Sequence, residues 1–263
     1  MSKEIKEIVK ETYTRVLDAG VGCGCGPTAS NPPIENWSLS ESYEKIEGYE
    51  KEADYALGCG IPTEHAKISE GDTVLDLGSG AGNDVFVARR IVGEKGQVIG
   101  VDMTEAMIAK ANENKQKLGY TNVDFVLGEI ENLPLQDNSI DVAVSNCVLN
   151  LVPDKARAYE EVYRVLKPQA HFSMSDIVVI GELPEGIRQA AEMYAGCIAG
   201  AMERDAYIDV IKQSGFKNIT ITKERAIEVP DEVLLQYVKD KSVLEAFKAS
   251  DNAIISLGVY AEK

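Results

Sequence analysis

The sequence predicts an α/β fold built on a mostly parallel sheet. Three observations carry that expectation. From residue 71 short apolar runs alternate with longer helical stretches, the pattern of right-handed strand–helix–strand crossovers. The first apolar run leads into "VLDLGSGAGND", with glycines at Gly78, Gly80 and Gly82. The second closes on an acid, Asp102, about 20 residues past that loop.

Residues 3 to 17 set Ile5, Ile8, Val9, Tyr13, Val16 and Leu17 at helical spacing, so a first helix is expected. It stops at "DAGVGCGCGPTASNPP", whose Gly and Pro content excludes regular structure. Residues 38 to 56 are polar and helix-compatible and end at "LGCGIP". The strands TVLDLG, QVIGVD, VDFVLG, IDVAVSN and HFSMSDIVV then follow, interleaved with the helices DVFVARRIV, EAMIAKANENKQKLG and KARAYEEVYRVLKP. After Pro184 come helical stretches containing EMYAGCIAGAM and RDAYIDVIKQSGF, and two strand-like runs, NITITKERAI and AIISLGVYAEK, close the chain. The expected division is an N-terminal arm with Cys-bearing loops over 1–60, a core over 61–180, and cover helices with the last two strands over 181–263.

At 263 residues, 44% hydrophobic and 27% charged, the chain has ample material for one large domain with additions. A formal charge of −16 argues against nucleic-acid or anionic-membrane partners. No window approaches a transmembrane span, and the charged start, MSKEIKEIVKETYTRVL, lacks the apolar region of a signal peptide. A cytoplasmic protein with reduced thiols is therefore expected. Its five cysteines, Cys23, Cys25, Cys59, Cys147 and Cys197, are odd in number and include no CxxC pair. With only two histidines, His65 and His171, a zinc ribbon or finger is not expected.

Glycines after the first strand let backbone amides approach a ligand at a helix N-terminus. A dinucleotide fingerprint would want a third spaced glycine where this loop has Asn83. Asp76 stands two residues before Gly78, where a carboxylate meets an ammonium better than a pyrophosphate. Asp102, followed by Met103, suits a ribose diol, and "GEIENLP" sets Glu129 and the Ile130 backbone near a base. With Gly78, Ser79, Gly80, Gly82 and Asn146 these form a nucleoside site without a phosphate clamp. S-adenosylmethionine fits it, being an amino acid joined to adenosine through a sulfonium.

In "SNCVLNL", Cys147 follows the fourth strand, at the crevice where α/β sheets bind ligands. Cys59 sits between Gly58 and Gly60, and Cys197 in a helical stretch past the fifth strand. A Cys among Ala, Ile and Met is also ordinary core filling. Three thiols from three segments could instead converge on one thiophilic centre. Neither His falls near the strand ends, so no base for a hydroxyl or carbon acceptor is evident, and an acceptor with its own lone pair would need none.

Over residues 71 to 180 the sequence resembles the class I S-adenosylmethionine-dependent methyltransferases, which implies a Rossmann-like, seven-stranded sheet with an antiparallel edge. "LKPQAH" departs from them, carrying Gln169 and Ala170 where such proteins usually have Gly-Gly. "SNCVLNLVPDK", "LGCGIP", "VIGVDMT", "GEIENLP" and "CIAGAM" resemble motifs of the arsenite methyltransferases. That resemblance implies that Cys59, Cys147 and Cys197 hold trivalent arsenic, supplied as arsenite or methylarsenite, in arsenic detoxification. It further implies a thiol relay through Cys23 and Cys25, here Cys-Gly-Cys where many relatives have adjacent cysteines, with thioredoxin or glutathione as reductant. Two alternatives remain at this point: a methyltransferase for a small organic acceptor, and a metalloid-binding protein without turnover.

Overall fold

The computed structural model describes residues 2–19, 39–189, 197–238 and 240–263. Cys23 and Cys25 lie outside the described residues. Seven strands form one sheet in the order β3-β2-β1-β4-β5-β7-β6. They are β1 (Thr73–Leu77), β2 (Gln97–Asp102), β3 (Val123–Leu127), β4 (Ile140–Asn146), β5 (Leu166–Ile180), β6 (Lys217–Ala226) and β7 (Ala253–Glu262). The first five run parallel and β7 pairs antiparallel with both β5 and β6. The expected fold class and antiparallel edge are thus what the chain adopts.

The described helices are α1 (Ser2–Ala19), α2 (Asn83–Val92), α3 (Glu105–Leu118), α4 (Lys155–Val165), α5 (Glu185–Arg188), α6 (Arg204–Gln213), α7 (Asp231–Leu234) and α8 (Lys241–Ala249). Sequence marks several ends. Asp154 caps α4 through the Arg157 N–H at 3.0 Å, Glu203 caps α6, and Gly119 ends α3 in the left-handed region. β1 and β4 are almost continuously buried, as strands covered on both faces must be. One face packs Phe172, Tyr159, Tyr207 and Phe216 beneath α4 and α6, and the other packs Phe86, Val85, Val98 and Val142 beneath α2. A third apolar cluster joins Val9 of α1 to Cys59, Cys147, Ile177, Cys197 and Leu244.

Two expectations need correction. Residues 38–56 do not form a helix: the described part turns at Tyr43 and again at Ile46, with a single 3-10 turn over Lys51–Ala53. Tyr43 is drawn into a cluster with Ile61 and Val87, and Gly48 takes a φ of +92°, so tertiary burial overrides a modest helical propensity. Cys197 also lies in no described helix, since Cys197–Gly200 is a turn and Cys197 has a φ of 66°. Among the described residues no helix is long and apolar enough to cross a membrane.

Candidate active site

The strand order reverses between β1 and β4, and the parallel register brings Leu77, Val101 and Ser145 level. The loops that follow β1, β2, β3 and β4 therefore open at one edge, where open α/β sheets bind ligands. With residues 53–58 and α1 they wall a cleft of about 1100 Å³, open solvent included.

Gly78, Gly80 and Gly82 hold φ values of 69°, 52° and 102°, a backbone that glycine alone adopts freely. A β-carbon at Gly78 would stand 2.5 Å from Val148, whereas one at Gly80 would meet nothing within 4 Å. The loop thus presses against the β4 side at one glycine and leaves open space at the next. The Gly80 N–H donates to Asp102 Oδ2 at 3.0 Å, and the Thr104 N–H to Oδ1 at 2.8 Å, so Asp102 ties the first loop to the second. Ser79 Oγ and Asn83 Oδ1 are buried without a protein hydrogen-bond partner, as polar atoms awaiting a ligand would be.

Asp76, Asp84 and Asp102 bring three carboxylates to this wall. Burial, then the charges of Asp84 and Asp102, pushes Asp76 well above the usual carboxylate range. Burial also raises Asp102, against the N–H groups of Thr104 and Gly80, and lifts Asp84 to about 6, against hydrogen bonds from Asn146 and Tyr43. Among the described residues no Lys or Arg is among the groups that act most on these three. Such a wall favours a cation over a phosphate, which suits the ammonium and sulfonium of S-adenosylmethionine.

Asp76, Gly78, Ser79, Gly80, Asp102, Met103, Glu129, Ile130 and Asn146 all line the cleft, as does Cys147. Gly82 stands outside its wall, at the start of α2, where its α-carbon approaches the rings of Phe86 and Phe125. The Glu129 carboxylate accepts from Lys6 Nζ at 2.8 Å, so α1 engages it.

Cys59, Cys147 and Cys197 are thiols with exposures of 0%, 1% and 2%. Only Cys147 reaches the cleft wall; Cys59 and Cys197 lie behind it in the same apolar cluster. Burial pushes the Cys147 thiol well above its ordinary value, helped by the neighbouring Cys197 and Cys59 thiols. Cys197 Sγ also donates to the Cys147 carbonyl at 2.9 Å. Among the described residues no set of three His, Cys, Asp or Glu side chains has the arrangement of a resident metal-ion site. The three cysteines meet as packed neighbours in one apolar cluster rather than as a preformed ion cage.

The backbone of each cysteine is fastened. Asn146 Oδ1 accepts the Cys59 N–H at 2.9 Å, and Ser256 Oγ and Arg225 Nη2 donate to the Cys59 carbonyl at 2.7 and 3.0 Å. The Cys147 N–H donates to Ser175 O at 2.7 Å, and Asn150 Nδ2 to Cys197 O at 3.3 Å. A β-carbon at Gly58 would fall 2.3 Å from Asn146 Nδ2, and one at Gly60 2.5 Å from Ser175 Oγ. Cys59 is flanked by glycines because its loop lies directly against β4 and β5.

Sequence reasoning missed Tyr43, Asp84 and the Lys6–Val9–Tyr13 face of α1, all of which line the cleft. The spacing of Val9 and Tyr13 on an amphipathic helix was the available signal. Nothing local marks Tyr43. His171 lies apart from the cleft wall, with Nε2 2.7 Å from Ala66 O and its ring beside Tyr260.

The methyltransferase domain family matches residues 68–232. The curated arsenite methyltransferase of Halobacterium salinarum is 39% identical over 231 residues, which covers 83% of this chain and 59% of that protein. That of Aquipseudomonas alcaligenes is 37% identical over 244 residues, covering 89% and 68%. The crystal structure of an arsenic(III) S-adenosylmethionine methyltransferase from Chlamydomonas reinhardtii superposes with a TM-score of 0.67 at 35% identity, covering 89% of this chain and 75% of that one. The chain thus spans 59% to 68% of the length of the two curated relatives. Class I fold, cationic-ligand cleft, converging thiols and these similarities agree: the chain belongs to the arsenite methyltransferase family of S-adenosylmethionine-dependent methyltransferases.

Proposed function

We propose that this protein methylates trivalent arsenic held by Cys59, Cys147 and Cys197. The observation that carries the reading is the position of Cys147 in the cleft wall with Cys59 and Cys197 packed behind it in one apolar cluster, Cys197 Sγ donating to the Cys147 carbonyl. Two curated relatives carry the name arsenite methyltransferase, which supports the same acceptor.

S-adenosylmethionine, when bound, supplies an electrophilic methyl group on a sulfonium. Asp76 would hold its ammonium, Asp102 its ribose and the Ile130 backbone its base, and the Gly78–Gly80 backbone would leave it room. Arsenite exchanges its three hydroxyls for three cysteine sulfurs, and each hydroxyl leaves as water with the proton of the incoming thiol. That suits the Cys147 thiol, which burial keeps protonated. The arsenic lone pair then forms the new bond to carbon, so the site needs no base. Its residues contribute by aligning two soft centres and excluding water.

Methylation leaves arsenic formally pentavalent. A thiolate of Cys23 or Cys25 attacking one ligand sulfur forms a disulfide and leaves the arsenic–sulfur electron pair on arsenic, restoring the trivalent state. Thioredoxin or glutathione would then reduce the disulfide. A cytoplasmic setting, where thiols stay reduced, suits such chemistry. The test is to incubate reduced protein with arsenite and S-adenosylmethionine and separate arsenic species. Methylated arsenic with matching S-adenosylhomocysteine supports the reading; bound cofactor without arsenite-dependent turnover refutes it.

A further inference from the structure

Tyr43 belongs to none of the motifs above, yet it is buried to 3% exposure at the junction of the two halves of the site. Its one hydroxyl proton faces two acceptors, Asp84 Oδ1 at 2.8 Å and Gly60 O at 3.0 Å, and its oxygen accepts from Asn146 Nδ2 at 2.8 Å. Asp84 lies in the first turn of α2, directly after the glycine loop. Asn146 Nδ2 also reaches Gly60 O at 2.8 Å, while Oδ1 takes the N–H groups of Cys59 and Gly60 at 2.9 and 3.3 Å. The Asn146 amide therefore grips the Cys59–Gly60 backbone by both its N–H groups and a carbonyl, and Tyr43 and Asp84 fix which way that amide faces. Asn146 is also the residue before Cys147.

We propose that Tyr43 is a positioning residue for the Cys59 thiol, acting through Asn146 and the Gly60 carbonyl to set Cys59 against Cys147. The proposal rests on the reading that Cys59 is an arsenic ligand. A side chain whose backbone is held at N–H and carbonyl has its direction set before the ligand arrives, which is how a supporting shell raises affinity. Without the Tyr43 oxygen, Asp84 and Asn146 each lose a partner in a buried site, and the amide is no longer held to one orientation.

Tyr43→Phe keeps the ring that packs on Ile61 and Val87 and removes only that oxygen. Arsenite and S-adenosylhomocysteine dissociation constants are measured on reduced wild type and variant, with thermal unfolding as a check on folding. The expected result is arsenite affinity lowered about tenfold more than S-adenosylhomocysteine affinity, the scale of one lost buried hydrogen bond to a charged group. Ser256→Ala, which releases the Cys59 carbonyl from the opposite side, should shift arsenite affinity in the same direction and spare the cofactor product. Unchanged arsenite affinity in Tyr43→Phe overturns the proposal. So does an equal loss for both ligands, which would confine Tyr43 to shaping the cleft it lines. Wild-type protein that binds no arsenite would instead overturn the parent reading, and the proposal with it.

Discussion

Cys197 Sγ lies 2.9 Å from the carbonyl oxygen of Cys147, and both residues hold a left-handed backbone, with φ of 66° and 61°. Such a backbone costs a residue with a side chain on the order of 1–3 kcal/mol and persists only where its surroundings over-determine it. Here Ser175 holds the Cys147 N–H and Asn150 holds the Cys197 carbonyl. Two strained positions on separate segments thus meet thiol to carbonyl, an arrangement that core filling does not require.

If Cys59 and Cys197 are ligands, Cys59→Ser and Cys197→Ser each lower arsenite affinity more than about 100-fold, beyond what an outer-shell partner costs. S-adenosylhomocysteine affinity stays unchanged. Titration of each variant with both ligands checks this, and a packing role would move the unfolding temperature instead.

Two glycines should respond in opposite ways to alanine. Gly58→Ala drives a β-carbon into Asn146 and should destabilise the fold by about 1–3 kcal/mol. Gly80→Ala meets no protein atom, so beyond its backbone strain the new methyl acts mainly on the cleft. Its expected signature is weakened S-adenosylhomocysteine binding. Denaturant unfolding and ligand titration on both variants separate the two effects.

Stability should fall as pH rises from 5 to 8. Asp84 titrates at about 6 and Asp176 at about 7 in the folded protein, both raised by burial from 3.8. In that window the folded protein binds more protons than the unfolded chain, so each carboxylate disfavours folding once ionised. Glu161 and Glu129 are held below their usual 4.5 by Arg164 and Lys6, so they act only at lower pH. The ligand-free protein should be more stable at pH 5 than at pH 8 by up to about 4 kcal/mol, and Asp176→Asn should flatten the slope. Urea unfolding across the window measures it.

Lys6 pairs with both Glu129 and Glu131 across the cleft mouth, beside Val9 and Tyr13 of the same helix. Lys6→Gln should raise the S-adenosylhomocysteine dissociation rate by up to about fivefold, the reach of one partly exposed ion pair. Stopped-flow displacement checks it.

The parallel core was legible because strands buried on both faces leave continuous apolar runs such as "IDVAVSN", and glycines followed by acids mark the ligand edge. Cys147 could be assigned to the crevice for the same reason: it is the first residue past a strand end. Tyr43 could not, because its place depends on a turn that tertiary burial imposes on a helix-compatible stretch. The left-handed backbone at Cys147 and Cys197 was equally hidden, since no local residue preference announces it. Asp84 was hidden in the same way, since its partners come from 41 and 62 residues away.

The most direct test is steady-state S-adenosylhomocysteine release by reduced protein with and without arsenite, beside Cys147→Ser. Arsenite-dependent release that falls to background in the variant is the result predicted if Cys147 is a ligand of the acceptor. Release that does not depend on arsenite, or that survives in Cys147→Ser, would return this thiol to the core and point to another acceptor.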